Sequence, residues 1–174
     1  LSATAGGSAI NTSGTQSGDQ ALSIRGVPLT AMYSSVPGAL TADIPVVQNY
    51  IMVADAYRFV FAFGCNDYGS TNQNPLLLRW CDQEDITNWT PAATNQAGSL
   101  LLSRGSKIVS AIQTRQEIIV FTDTSIYALQ YLGPPYVWGS QLMGTNISIV
   151  SQNCIAQAAD VVYWMGVDKF YKYD

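Results

Sequence analysis

The stretch that most constrains this chain is Gln116–Tyr131, QEIIVFTDTSIYALQY. Two apolar runs, Ile118–Phe121 and Ile126–Leu129, flank Thr122-Asp123-Thr124-Ser125. Ile, Val, Phe and Tyr suit the pleated surface of a strand, whereas Asp, Thr and Ser bond nearby backbone and favour turns. The pattern predicts a β-hairpin. Its apolar residues do not alternate with polar ones, so Ile118, Ile119, Val120 and Phe121 occupy both faces. A sheet that is apolar on both faces lies between other layers.

The same unit recurs. Ala159–Gly166 reads ADVVYWMG and is followed by VDKFYKYD; Tyr57–Gly64 reads YRFVFAFG and is followed, after an insertion, by PLLLRW. Placing Gly64, Asp123 and Gly166 in register lines up three apolar strands, Phe59–Phe63, Ile118–Thr122 and Val161–Met165. A strand is expected before each (Tyr50–Ala54, Lys107–Gln113, Cys154–Gln157) and after each (Leu76–Trp80, Ser125–Tyr131, Phe170–Tyr173). A fourth is expected twice, at Leu100–Ser103 and Tyr136–Met143. Antiparallel sheets of about four strands repeating every 40–60 residues or so are the signature of propeller blades. The fold expected is therefore all-β: about three blades of a partial propeller over residues 50–174, ending within a blade, preceded by an extended arm with short strands over residues 1–49.

The arm is read from composition. Residues 1–20 are mostly Gly, Ser, Thr and other small or polar residues, which do little to offset the entropy of ordering. Strands are expected at Leu22–Ile24 and Leu29–Tyr33, with a turn at Ser35-Val36-Pro37-Gly38. The first residues carry neither Met nor a charged-then-apolar leader, which reads as an internal start or a processed end. Further on, the polar insertion Gly64–Asn74 is expected as an exposed loop, and Asp82–Asn88 as a single helical turn with Asp82 at its N-cap.

The 174 residues are 48% apolar but only 11% charged, against roughly a quarter in ordinary globular chains. A surface so poor in charge fits a subunit covered by neighbours, or a surface built from Ser, Thr, Asn and Gln. The net charge of −4 gives no basic footprint for nucleic acid. No apolar run approaches the roughly 18 residues of a membrane span. Histidine is absent, which removes His-based triads, proton shuttles and metal sites together. Cysteines stand at 65, 81 and 154, an odd number without CxxC spacing. Cys154 reads as a small core residue; Cys65 and Cys81 flank one hairpin, which allows a bridge between them, although the odd count argues against a disulfide framework.

Several constellations carry chemistry on paper. Asp82, Glu84 and Asp85 share a polar loop and could ligate a hard cation or act as a carboxylate pair in glycoside hydrolysis; the bland reading is a capped, solvated turn. Arg79, Arg104 and Arg115 could pair with those carboxylates or with a neighbouring subunit; the bland reading is surface arginines. Trp80, Trp89, Trp138 and Trp164 could stack on a carbohydrate; the bland reading is packing between blades, with Trp164 in the core and Trp89 as a lid. Asn11-Thr12-Ser13, Asn88-Trp89-Thr90 and Asn146-Ile147-Ser148 fit the glycosylation acceptor pattern, and are read as chance. No catalytic, cofactor-binding or metal residue is assigned. Largely buried positions are expected at Ile119, Phe121, Tyr127, Leu129, Val162 and Trp164.

The segments LLLRWCDQEDITNWTP, NQAGSLLLSRGSKIVSA, QEIIVFTDTSIYALQYLGPPYVW, NISIVSQN and YWMGVDKFYKYD, in that order, resemble the tail hub or tail nozzle proteins (phage stabilisation proteins) of short-tailed bacteriophages. The resemblance covers residues 50–174. It implies a structural virion protein of the phage tail, not an enzyme, with a β-propeller body. Copies would form a homo-hexamer ring below the portal and adaptor, beside tail fibre or spike proteins, and extend or gate the DNA-ejection channel. Such a subunit is assembled in the host cytoplasm, needs no cofactor, and passes double-stranded DNA without binding it specifically. The competing reading is a propeller-type carbohydrate-binding or glycoside-hydrolysing protein. A sialidase-type Ser-x-Asp-x-Gly-x-Thr-Trp box and the Trp-Asp signatures of WD40 repeats are both missing from the sequence.

Overall fold

The computed structural model describes residues 43–174 and, before them, the backbone of β1 (Ser23–Ile24) and β2 (Val27–Pro28), which pair antiparallel. The Leu29–Tyr33 strand and the Ser35–Gly38 turn lie outside the described residues, as does most of the expected arm. From Tyr50 onward the chain is all strand and turn, with no helix among the described residues.

Sheet I is β3 (Tyr50–Ala54), β4 (Phe59–Phe63), β5 (Leu77–Trp80) and β6 (Gly98–Leu101). Sheet II is β7 (Ile108–Gln113), β8 (Ile118–Thr122), β9 (Ser125–Gly133) and β10 (Val137–Thr145). Sheet III is β11 (Ile155–Ala158), β12 (Val161–Met165) and β13 (Phe170–Tyr173). Each is an antiparallel meander whose spatial order follows the sequence. The hairpin read from Gln116–Tyr131 is β8–β9, with Ile118 opposite Leu129 and Phe121 opposite Ile126. Thr122 closes its turn: its hydroxyl donates to the Ser125 carbonyl (3.0 Å) and accepts from the Ser125 amide (2.9 Å). That reciprocal pair is why a hydroxyl is tolerated with no exposure at all.

The sheets stack face to face. Phe59, Phe61 and Phe63 of β4, with Leu78 and Trp80 of β5, meet Ile118, Val120, Tyr127 and Leu129 of sheet II. The opposite face of sheet II, Ile119, Phe121, Ile126 and Ala128, meets Val162 and Trp164 of sheet III. Trp138 packs edge-on against Phe59 (5.6 Å) and Phe61 (5.0 Å), a geometry worth about 0.5–1.5 kcal/mol per pair beyond area burial. All six expected core residues, from Ile119 to Trp164, are at most 5% exposed. The first strands of sheets I and II, β3 and β7, run beside each other, as in neighbouring blades. The three sheets do not close a ring.

Four details depart from the sequence reading. The register differs in sheet II: with Asp123 aligned to Gly64 and Gly166, Val120 falls opposite Phe61 and Tyr163. Yet Phe61 faces the next sheet whereas Val120 faces the previous one. A one-residue slip exchanges the faces of a strand, so the true equivalence is shifted by one. Asp82–Asn88 is not a helical turn. Glu84 takes φ 62° and its amide donates to the Arg58 carbonyl (3.0 Å), while Asp82 and Asp85 form an isolated bridge; a left-handed residue ends a right-handed turn. The Gly64–Asn74 insertion is only partly exposed, because Gly64, Cys65 and Asn66 are buried against sheet I. Cys154 is half-buried and precedes β11 rather than lying in a core strand.

Candidate functional site

The polar residues that the fold gathers lie in two nodes on sheet I and in one cluster at the edge of sheets II and III. The first node is Arg79. Along β5, Leu78 and Trp80 face sheet II, so Arg79 must share the opposite face with Leu77. That face is covered by residues 43–49, by the Gly64–Asn74 loop and by the segment carrying Trp89. Arg79 is consequently fully buried, the reverse of the surface arginine expected. Its guanidinium donates to the carbonyls of Asn66 (3.2 Å), Trp89 (3.4 Å) and Asp43, and lies over the Tyr68 ring at 3.8 Å. Among the described residues no carboxylate pairs with it. Three carbonyl dipoles and an aromatic face replace part of its hydration shell, while its buried Nε has no hydrogen-bond partner among the described residues.

Asn66 extends this node. Its side-chain oxygen accepts from the amides of Val46 (2.8 Å) and Val47 (3.1 Å), and its side-chain nitrogen donates to the carbonyls of Asp67 (3.2 Å) and Ser70 (2.8 Å). Underneath lie Ala62, Cys65, Leu77, Cys81 and Trp89, with Ile44, Ile51 and Val60 packed against them. Cys65 and Cys81 are both free thiols, so the allowed bridge is not formed. Each has a local partner instead: the Cys81 sulfur accepts from the Val60 amide (3.1 Å), and the Cys65 thiol donates to the Leu77 carbonyl (3.7 Å). Burial pushes the Cys65 thiol up to about 12, the nearby Arg79 charge offsetting part of it, and pushes Cys81 up to about 11. Neither is a nucleophile near neutral pH, since the thiolate is the reactive form.

The second node is Asn49, where all three parts of the chain meet. Its side-chain nitrogen donates to the Ile108 carbonyl of sheet II (3.2 Å), and its side-chain oxygen accepts from Gln73 (2.8 Å). Its backbone carbonyl accepts from Gln152 (2.9 Å), which lies just before sheet III, and its amide donates to Phe63 (2.9 Å). Gly64 makes room. It sits at φ 61°, and a Cβ there would lie 2.5 Å from the Asn49 side-chain nitrogen. A parallel tie joins β3 to β7 at the other end, where the Asp55 amide donates to the Gln113 side-chain oxygen (2.8 Å).

The carboxylates proposed for chemistry do not converge. Asp82 accepts from the amides of Gln83 and Gln96 (both 2.8 Å). Asp85 accepts from the Thr87 hydroxyl (2.6 Å) and amide (2.9 Å), which hold its carboxyl below the usual range. Glu84 pairs with Arg58 instead of Arg79, Arg104 or Arg115. Each carboxylate thus serves the loop's own shape, and among the described residues no three acidic or thiol groups are placed to hold a metal. Arg115 pairs with Asp160 (2.9 Å) across sheets II and III, largely in solvent. Arg104 is exposed. All four tryptophans are buried, at most 4% exposed; they offer no stacking surface, and Trp89 is indeed a lid, over the outer face of sheet I.

One more cluster went unread in the sequence. Thr114–Glu117, Asp160, Tyr173 and Asp174 line an open cavity of about 370 Å³ at the edge of sheets II and III. Tyr173 donates to Glu117 at 2.7 Å, and that bond to a carboxylate raises the Tyr173 hydroxyl above its ordinary value. The cluster is satisfied internally, so it ties the sheets together. Alternation along β13 puts Tyr173 on the face toward sheet II and could have indicated this.

Compared with known protein families and with curated proteins, the chain matches no family model and no curated sequence. Within the described residues, no helix is long and apolar enough to cross a membrane.

Proposed function

We propose that this chain is a structural component of a phage tail: part of a ring-forming hub or nozzle subunit whose propeller-like body extends or gates a DNA-ejection channel. The observation that carries this reading is how the chain uses its polar groups. Arg79, Asn49, Asn66 and the Asp82 loop spend their hydrogen bonds on the chain's own groups, mostly backbone, and among the described residues no three acidic or thiol groups are placed to hold a metal. That is the economy of a scaffold. The low charge, 11% of residues, and the exposed apolar face of sheet III described below suit a body packed into a larger assembly. Not being an enzyme, residing in the virion, and partnering adaptor and fibre or spike proteins all belong to the same proposal. The carbohydrate reading has less support, because its stacking tryptophans are interior.

The test is the oligomeric state of the complete protein by native mass and electron microscopy. A sixfold ring is expected; a stable monomer overturns the reading. A second measurement concerns the channel. Phosphate contacts by Lys and Arg supply most non-specific DNA affinity and its salt dependence. With only eight such residues and a net charge of −4, the assembled ring is expected to bind double-stranded DNA weakly and with little response to salt. Micromolar binding that falls steeply with salt would mean a wall that grips the genome.

A further inference from the structure

We propose that residues 43–48 form a releasable strap, hinged at Asn49, a closure over the outer face of sheet I that opens and recloses as a unit while the three sheets stay folded. The strap is held differently from everything beneath it. The strands of sheet I are held by ladders of backbone bonds and by interior side chains on both faces. The strap contributes Ile44 and the buried Pro45 to packing, while Val46 is 54% exposed. Its remaining hold is a polar clasp. Asn66 takes the Val46 and Val47 amides, and the Asn66 amide donates to the Val47 carbonyl (3.2 Å). Arg79 takes the Asp43 carbonyl, and the Thr90 hydroxyl donates to the Asp43 carboxylate (2.7 Å). Asn49, bonded to Phe63, is the hinge end.

Segments with few buried apolar contacts and side-chain-mediated bonds occupy the low end of local opening free energies. Opening this one uncovers an apolar sheet face, and with it Cys65, without breaking a rung of any sheet. Because the strap directly precedes β3, a load or a partner acting on Asp43 reaches the clasp before it reaches sheet I. This device stands apart from the phage-tail reading and holds for any role the sheets serve.

The test is thiol labelling of the intact chain. Cys65 lies in the cluster under the strap, and Cys154, half-buried before β11, is the internal control. Native protein is exposed to a thiol reagent at urea concentrations below the unfolding transition, and labelling of each cysteine is followed by mass spectrometry. A strap predicts that Cys65 labels by a route with a shallow urea dependence, well below the slope of global unfolding, since its opening exposes one sheet face and leaves the rest of the core covered. Asn66→Ala is expected to raise the Cys65 rate about tenfold or more, the equivalent of one or two lost hydrogen bonds, with the shallow urea dependence kept and Cys154 unchanged. If Cys65 labels only by a route with the full urea slope of global unfolding, the strap is an integral part of the domain and the proposal fails. That slope in the unaltered protein decides the matter even if Asn66→Ala does not fold.

Discussion

Sheets II and III are built from nearly the same kind of sequence and end in different physical situations. The middle strand of sheet II, Ile118–Thr122, is buried at every residue; that of sheet III, Val161–Met165, alternates, with Val162 and Trp164 inside and Tyr163 and Met165 outside. Both strands are apolar on both faces. What differs is the neighbour: among the described residues, sheet II lies between two sheets, whereas sheet III packs against one. Sheet III also has three strands where the others have four, so among the described residues one edge of β13 is unpaired. Its outward face carries Tyr163 (45% exposed), Met165 (37%) and Phe170 (80%). Composition tells how much a strand would bury; only the packing tells how much it does.

The largest effect that sharpens this contrast comes from two core truncations. Phe61→Ala removes a ring stacked on Phe63 and edge-on to Trp138, and should cost about 3–5 kcal/mol of global stability in urea unfolding. Trp164→Ala should cost a similar amount, but locally: it removes the ring that joins sheet III to Phe121. In native-state amide exchange, Trp164→Ala should strip protection from β11–β13 first, whereas Phe61→Ala should lower it throughout sheets I and II. Uniform loss from both would mean that the three sheets form one cooperative unit.

Alkaline pH probes the far side of the stack. The Cys65 and Cys81 thiols titrate higher when folded than unfolded, so the neutral thiol favours the native state. Their contribution is complete below the ordinary value near 9 and is lost as pH rises toward about 11 for Cys81 and about 12 for Cys65. Within that window each lowers stability by on the order of 1 kcal/mol per pH unit. Urea midpoints from pH 8 to 11 should fall, and the fall should flatten in the Cys65→Ala, Cys81→Ala double variant. An unchanged slope would mean the thiols are solvated in the folded chain.

Much of this architecture was legible in the sequence because β-branched and aromatic runs bounded by turn residues can do little else. Phe59–Phe63, Ile118–Thr122, Val161–Met165 and Phe170–Tyr173 are strands with the expected ends. The polar nodes were hidden for a physical reason. A charged residue beside Trp80 at a strand end reads as surface; only once both faces of β5 are known to be covered does the alternation Leu77-Leu78-Arg79-Trp80 force Arg79 inside. Asn49 and Asn66 look like any loop amide, since their value lies in distant backbone groups, Ile108 for Asn49 and Val46 and Val47 for Asn66. The Asp82 loop is the opposite case: three nearby acids could suggest a site, but the blander reading of a solvated turn fits, since each is turned toward a different partner.

Two smaller effects complete the series. Gly64→Ala places a Cβ at positive φ and against Asn49, and should cost about 2 kcal/mol. If the clash with Asn49 is a real part of that cost, Asn49→Gly should relieve some of it in a double-mutant cycle; strict additivity would assign the whole cost to the backbone. On the outward face of sheet III, Phe170→Ser should change stability by no more than about 0.5 kcal/mol, as exposed substitutions do. A loss of 2 kcal/mol or more would show that this face is covered in solution.

The fit between Asn49 and Gly64 has a consequence for how this chain can change over generations. Gly64 cannot gain a side chain while Asn49 keeps its amide in place, and Asn49 cannot shrink without releasing Ile108 and Gln73 together. Two positions 15 residues apart in sequence are thereby bound into one inherited unit. In any set of descendants that keep this junction, residues 49 and 64 should vary together or stay fixed together, while the tip of the Gly64–Asn74 loop drifts freely.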